Sequence, residues 1–329
     1  MNYRKLGKTG LFLSEIGFGS WATIGENLSN KQSLDLLAAA YDLGINYFDT
    51  AETYAEGETE RALGSVLNLL SWPREKFVIS SKVFWGIHNR FPNSWGLSRK
   101  HIFEGCHASL KRLKLNHLDL YLCHRYDNES TIEEIVTTMH DLIKQGKVLY
   151  WGTSEWPANK LMEAYQFAKA NNLYAPVLEQ LEYNLFNYKK VETEFLDLYK
   201  TAGIGLTTWS PLKSGLLAGK YLNSVPKKSR LGTNEWLVQE LFGDQPALRK
   251  YIITEIQKLT NTELRMSLKE FCLRWCLRNN NVTSIITGAS KLSHLEEAVT
   301  VSNNNLDISP EIFEKINQLL DLKETGACV

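Results

Sequence analysis

Residues 118–154 read LDLYLC-HRYDNES-TIEEIVTTMHDLIK-QGK-VLYWGTS. Leu118–Cys123 and Val148–Ser154 are short runs rich in apolar, β-branched and aromatic residues, the mark of strands. Between them, 132–145 carries apolar residues at helical spacing, and Thr131 ahead of Ile132-Glu133-Glu134 is a helix-start signal. A strand, an amphipathic helix and a second strand make a βαβ unit with parallel strands.

The same alternation runs outward in both directions. Further strand-like runs lie at Ile16–Phe18, Tyr47–Thr50, Val78–Lys82, Val177–Leu181, Gly205–Trp209 and Ser284–Ile286. Helical patterns fall at 31–43, 58–70, 99–114, 158–170, 190–202, 267–279, 291–301 and 310–321, with Ser98 and Ser309-Pro310 as further start signals. Eight such alternations predict an α/β chain whose parallel sheet closes into a (β/α)8 TIM barrel, with the open doubly wound sheet as the competitor. Tyr3–Lys5 and Phe12–Ser14 read as an N-terminal β-hairpin able to plug the barrel floor. Residues 215–264, with Pro226, Gly232 and Gly243, read as a long loop after the seventh strand. The 329 residues, 1–329, read as a single barrel domain.

Composition narrows the function classes. Lys+Arg and Asp+Glu both total 37, so no basic excess exists for a nucleic-acid partner. The densest basic stretch, Lys227-Lys228-Ser229-Arg230, is too short to track a nucleic-acid backbone. The longest uncharged run is 12 residues against the ~20 a spanning helix needs, and no signal peptide is legible. The expectation is a soluble, cytoplasmic chain that is not membrane-inserted. The five cysteines form no C-x-x-C, and Cys272 and Cys276 read as buried thiols; no metal site is expected.

Barrels carry chemistry at the C-terminal ends of their strands. The second strand ends in Asp49 with Tyr54 just beyond, the third in Lys82, and the fourth runs into His124. This set suits general acid catalysis at a carbonyl. A neighbouring ammonium favours phenolate, Asp49 keeps Lys82 charged, and His124 orients the carbonyl oxygen. Taken singly, each residue reads as packing or as a solvated strand end. Their placement on consecutive strands is what speaks for a site. Gly17-Phe18-Gly19-Ser20-Trp21-Ala22 fits G-x-G-x-x-G/A superficially, but no helix opens at Ser20, so a Rossmann site is rejected. Thr287-Gly288-Ala289-Ser290 feeding a helix at Lys291 is a better phosphate site, and the stretch Trp209 to Gly215 adds a ring, hydroxyls and a cation.

FDTAETY (48–54), ISSKVFWG (79–86), GKVLYWGTSEW (146–156), TTWSPLKSGLLAGKY (207–221) and ITGASKLSHLEEA (286–298) resemble the aldo-keto reductases. The match runs from Tyr3 to about Leu320. It looks closest to the branch formed by voltage-gated potassium channel β-subunits. The resemblance implies a (β/α)8 barrel and NADPH-dependent reduction of aldehydes or ketones, with NADP(H) as cofactor and a small-molecule carbonyl as substrate. Asp49, Tyr54, Lys82 and His124 would form the catalytic tetrad, Tyr54 giving the proton. Ser20, Trp21, Ser154, Gln180 and Trp209 would surround the nicotinamide beside Asp49. Ser210, Pro211, Leu212, Lys213, Ser214 and Gly215 would clasp the pyrophosphate with Lys220. Arg230, Gly288, Ser290, Lys291, His294 and Glu297 would lie near the adenosine and its 2′-phosphate. Trp21, Trp85, Trp156 and the loop around Phe91–Trp95 would shape an aromatic substrate pocket.

The sequence also departs from the channel branch. That branch usually carries Asn at the position of His124, Arg at Glu155 and Ala-Cys at Lys213-Ser214. His124 restores the reductase tetrad and favours an enzyme. The alternative is a cofactor-sensing auxiliary (β) subunit of a potassium channel or another partner, a branch that forms homotetramers. A Schiff-base aldolase acting through Lys82 would leave Tyr54 and the Trp209–Ser214 clasp unexplained. Ala298 stands where the family often has Asn near the adenine.

Overall fold

The computed structural model describes residues 1–87, 91–226, 230–233, 235–302 and 308–325; of residues 230, 233, 235, 236, 240 and 323–325 it describes the backbone alone. Strands β1 (Tyr3–Lys5) and β2 (Phe12–Ser14) form an antiparallel hairpin. Eight parallel strands follow: β3 (Ile16–Gly19), β4 (Tyr47–Asp49), β5 (Val78–Val83), β6 (Leu118–Cys123), β7 (Val148–Ser154), β8 (Leu178–Glu182), β9 (Gly205–Trp209) and β10 (Val282–Thr287). They close into a barrel, with β10 pairing both β9 and β3 and Ile285 opposite Ile16. The expected TIM barrel is therefore the observed fold.

The hairpin is the expected plug. Leu6 and Leu13 are buried in the barrel's lower interior with Tyr47, Val78, Leu120, Leu122 and Leu178. The hairpin turn lies so close beneath Gly203 that a Cβ on Gly7, at φ +49°, would meet the Gly203 carbonyl at 2.3 Å. Only glycine fits there.

Helices α1 (Asn30–Asp42), α2 (Glu58–Leu70), α3 (Arg99–Leu113), α4 (Ile132–Lys144) and α5 (Ala158–Ala170) follow successive strands. The caps of α3 and α4 are those read from sequence: Ser98 Oγ accepts from the His101 amide and Thr131 Oγ1 from the Glu134 amide. In α4, Ile132, Ile135, Val136, Met139 and Leu142 are buried. That i, i+3, i+4, i+7 stripe faces the barrel, and each such side chain contributes roughly 1.5–3 kcal/mol by leaving water. The helix expected over 190–202 is instead two wide π-type turns, Lys190–Glu194 and Leu198–Ala202.

The long loop expected after the seventh strand is corrected. It contains helices α6 (Arg230–Thr233), α7 (Glu235–Phe242) and α8 (Pro246–Thr262). Pro246 sits at the first turn of α8, where its missing N–H removes no bond. Leu248, Ile252, Ile253 and Ile256 are its buried stripe. The scattered Gly and Pro residues are punctuation between short helices, and reading them as one loop missed that stripe. Helices α9 (Leu268–Leu277), α10 (Leu292–Ser302) and α11 (Pro310–Thr325) complete the fold, with α11 packed on α8. Among the described residues, no helix is long and apolar enough to cross a membrane. Cys106, Cys123, Cys272 and Cys276 are buried free thiols; Cys328 and Lys227-Lys228-Ser229 lie outside the described residues.

Candidate active site

Alternation along the strands decides which side chains enter the barrel. Tyr47 and Asp49 share a face of β4, and Ser80 and Lys82 share a face of β5. The barrel interior is apolar below and polar at the C-terminal rim. There Lys82 Nζ donates to Asp49 Oδ2 at 2.6 Å, to the Thr50 carbonyl at 2.8 Å and to the Tyr54 hydroxyl at 3.2 Å. Asp49 Oδ1 accepts from Ser80 Oγ at 2.6 Å, Gln180 Nε2 at 3.1 Å and Tyr47 OH at 3.4 Å. The side chains of Lys82 and Asp49 are 0% and 5% exposed. A charge pair this deep is tolerable only because nearly every lone pair and proton is engaged.

Burial alone would lower the Lys82 pKa. Asp49 and Tyr54 outweigh it, and the ammonium is held above its ordinary value. Burial raises the Tyr54 phenol, with Lys82 opposing. The net direction is upward, so the lowering expected from Lys82 is real but loses to desolvation. Tyr54 keeps its proton in the resting protein. The next two residues, Ala55 and Glu56, hold left-handed backbone at φ +46° and +52°. Strained non-glycine residues of this kind cluster at functional sites.

His124 stacks edge-on against Tyr54 and Trp85, with ring centroids 5.9 and 4.6 Å away. Burial, then the charges of Lys82 and Arg125, hold its pKa well below the ordinary imidazole value. The neutral ring is therefore the favoured form. Its Nδ1 is buried without a hydrogen-bond partner among the described residues.

Above this floor lies a cleft of about 1430 Å³. A pocket for one drug-sized ligand spans about 300–1,000 Å³, so this volume admits a dinucleotide together with a small substrate. Most of the sequence-predicted residues line it: Trp21, Asp49, Tyr54, His124, Ser154, Gln180, Trp209, Ser210, Pro211, Leu212, Ser214, Gly215, Lys220, Gly288, Ser290, Lys291, His294 and Glu297. Lys82 lies beneath it. Others sit elsewhere. Ser20 is buried, its hydroxyl donating to the Asp49 carbonyl. Lys213 is turned from the cleft, its buried ammonium bonded to Glu182 Oε1 at 2.9 Å and Asn187 Oδ1 at 3.3 Å. The Arg230 side chain lies outside the described residues. Trp156 is fully buried against Tyr126 and does not line the cleft. Trp21 and Trp85 do.

Sequence reasoning missed three contributors. Glu155 Oε1 accepts from Trp209 Nε1 at 3.0 Å, fixing the indole, while its Oε2 takes Lys190 at 2.9 Å. Lys269, on α9, lines the far end of the cleft and pairs with Glu297. Arg125, next to His124, lines the near end. Its position two residues past a strand end was a usable signal. Lys269 gave none, because its distance along the chain hides its place beside Lys291.

The far end is strongly basic. Burial first, then the surrounding cations Lys269, Lys291 and Lys220, lower the His294 pKa. Ser210, Lys213, Ser214 and Gly215 all have positive φ, between 42° and 95°. Such turns aim backbone amides into a concavity and suit phosphate.

This barrel, with an acid–ammonium–phenol chain at its rim, belongs to the aldo/keto reductase family, whose sequence model matches residues 15–321. The family places the chain among the oxidoreductases, enzymes that generally bind nicotinamide cofactors. The chain is also 42% identical over 326 residues to a rice (Oryza sativa subsp. japonica) protein described as "Probable voltage-gated potassium channel subunit beta". An Arabidopsis thaliana protein of the same description is 43% identical over 326 residues. Each alignment covers 98% of both chains.

Proposed function

We propose that this chain is an NADPH-dependent reductase of aldehydes and ketones, working as one barrel domain with Tyr54 as proton donor. The observation that carries the proposal is the Asp49–Lys82–Tyr54 hydrogen-bonded chain under an open cleft. NADP(H) suits the residues present: the left-handed turn at 210–215 and the Gly288–Ser290 turn before α10 suit phosphates, and Lys220, Lys269 and Lys291 suit a 2′-phosphate. When bound, NADPH would supply the hydride that reaches the carbonyl carbon.

The residues supply the rest. Tyr54 holds a proton ready for the carbonyl oxygen. As that proton leaves, Lys82 stabilises the phenolate, and Asp49 keeps Lys82 cationic. Neutral His124 can donate one hydrogen bond to the same oxygen without competing for its proton. Trp209, clamped by Glu155, would stack on the nicotinamide, with Ser154 and Gln180 at its carboxamide.

Consumption of NADPH against an aldehyde panel, with NADH in parallel, tests this reading. NADPH should bind at least tenfold tighter, one charge-assisted contact's worth. No turnover of any aldehyde, or equal affinity for both cofactors, would count against it. The plant relatives described as channel β-subunits support a second reading, an auxiliary channel subunit that senses the cofactor. In that case NADPH binds but turnover is negligible.

A further inference from the structure

At the near end of the cleft one cation has no ion-pair partner among the described residues. The guanidinium of Arg125 lies 4.9 Å above the Trp85 ring, and its Nη1 donates to the His124 carbonyl at 2.6 Å. No carboxylate lies within ion-pairing distance of it among the described residues. The carboxylates nearby are already spent. Glu155 gives its oxygens to Trp209, to the Glu182 amide and to Lys190. Glu179 is wholly buried, and burial first, against its bond from Thr153, pushes its carboxyl up to about 8, so it is neutral. Asp49 is matched by Lys82.

A half-buried cation without an ion-paired counter-ion is costly, and desolvation lowers the Arg125 pKa, outweighing the opposing charge of Glu155 beyond pairing distance. The ring beneath and the carbonyl beside it hold the guanidinium in place, so little side-chain freedom remains to be lost on binding. It lines the same cleft as Tyr54 and His124. Together with Trp85 and Trp21 it offers a flat apolar wall and a fixed fork for two oxygens, the geometry that takes a carboxylate bidentately.

Building on the reductase reading, we infer that Arg125 is a substrate-specificity residue and that the favoured substrates are carbonyl compounds bearing a carboxylate, with an apolar or aromatic body between the two groups. The anion replaces the missing counter-charge, and the carbonyl is thereby delivered toward Tyr54 and His124.

The test uses a matched pair, 4-carboxybenzaldehyde and 4-methylbenzaldehyde, with calorimetric titration of benzoate and benzamide onto the full chain in the presence of NADPH. Benzoate should bind at least tenfold tighter than benzamide. Arg125→Met should erase that preference and lower the ratio of kcat/KM for the two aldehydes at least tenfold, while Arg125→Lys should keep part of both. Should Arg125→Met fail to fold, Arg125→Gln makes the same comparison. Equal binding of benzoate and benzamide, or a preference that survives the loss of Arg125, overturns the inference. An Arg125-dependent preference for benzoate with no turnover of either aldehyde supports the anion subsite and refutes the reductase reading alone.

Discussion

Asp49→Asn is the sharpest perturbation of the site, because the amide cannot satisfy both sides of the pocket. On one side stands the Lys82 ammonium at 2.6 Å; on the other stand Ser80, Gln180 and Tyr47, with Ser80 and Gln180 donating to Oδ1. Whichever way the Asn amide turns, its NH2 faces a donor. Lys82, 0% exposed, is left with the Thr50 carbonyl and Tyr54. Breaking a buried pair by removing one partner costs about 3–5 kcal/mol. At about 2.1 cal/mol/K of unfolding entropy per residue, a chain of this length should melt roughly 4–7 °C lower.

The pH dependence carries a second signature. In the wild type the Lys82 pKa is raised, so its contribution is fully present below the unfolded value of about 10.4 and fades only as pH climbs through the folded one. In the variant, with Asp49's charge gone and only Tyr54 opposing burial, the sign reverses: the folded state sheds its proton first and gains relative stability as pH rises. The deficit measured by urea unfolding should therefore shrink between pH 7 and 10. A variant within 1 kcal/mol of wild type, or a deficit flat across that range, would show that Asp49 is not the counter-ion that keeps Lys82 charged.

Tyr54→Phe should lower kcat by about 10²–10⁴ while NADPH affinity stays within about twofold, since only the hydroxyl is lost; a wild-type rate would remove Tyr54 as the acid. His124→Asn should lower kcat/KM for an aldehyde without adding or removing an ionisation between pH 6 and 9, because burial and two cations already hold the ring neutral there; loss of a titration in that range would refute it. Glu179→Gln should make the protein relatively more stable as pH rises from 5 to 9. The raised native carboxyl, near 8, contributes stability that is full below its unfolded pKa of about 4.3 and lost through pH 8. Urea midpoints of both proteins that run parallel across that range would contradict the burial assigned to it.

The barrel was legible because its signal is repetitive. Eight runs such as LDLYLC, each followed by an amphipathic stretch, leave few other topologies, and the eight expected strands differ from those observed by no more than two residues at an end. The rim residues Asp49, Tyr54, Lys82 and His124 were legible for the same reason, since a strand end fixes a side chain's height. What failed was contact between distant segments. Lys213 reads as a phosphate ligand in WSPLKSG, yet Glu182 on the adjoining strand captures it. Trp156 follows a strand end as Trp85 does, but it falls into the core against Tyr126. The sign of the Tyr54 shift turned on burial, which no spacing reports.

The hairpin beneath the barrel also governs when this protein can exist. Asn2 bonds Ser302 at 2.9 Å, Arg4 reaches the carbonyls of Leu277 and Val282 at 2.8 and 2.9 Å, and the Glu15 carbonyl takes the Ile285 amide at 2.9 Å. Residues 2–15 are thus fastened to residues 277–302. At about 5–20 residues per second, a ribosome that has released β3 needs roughly 13–54 s more to deliver β10. Throughout that interval the growing sheet has two unpaired edges, a feature that invites aggregation. The barrel closes only when β10 pairs with both β9 and β3.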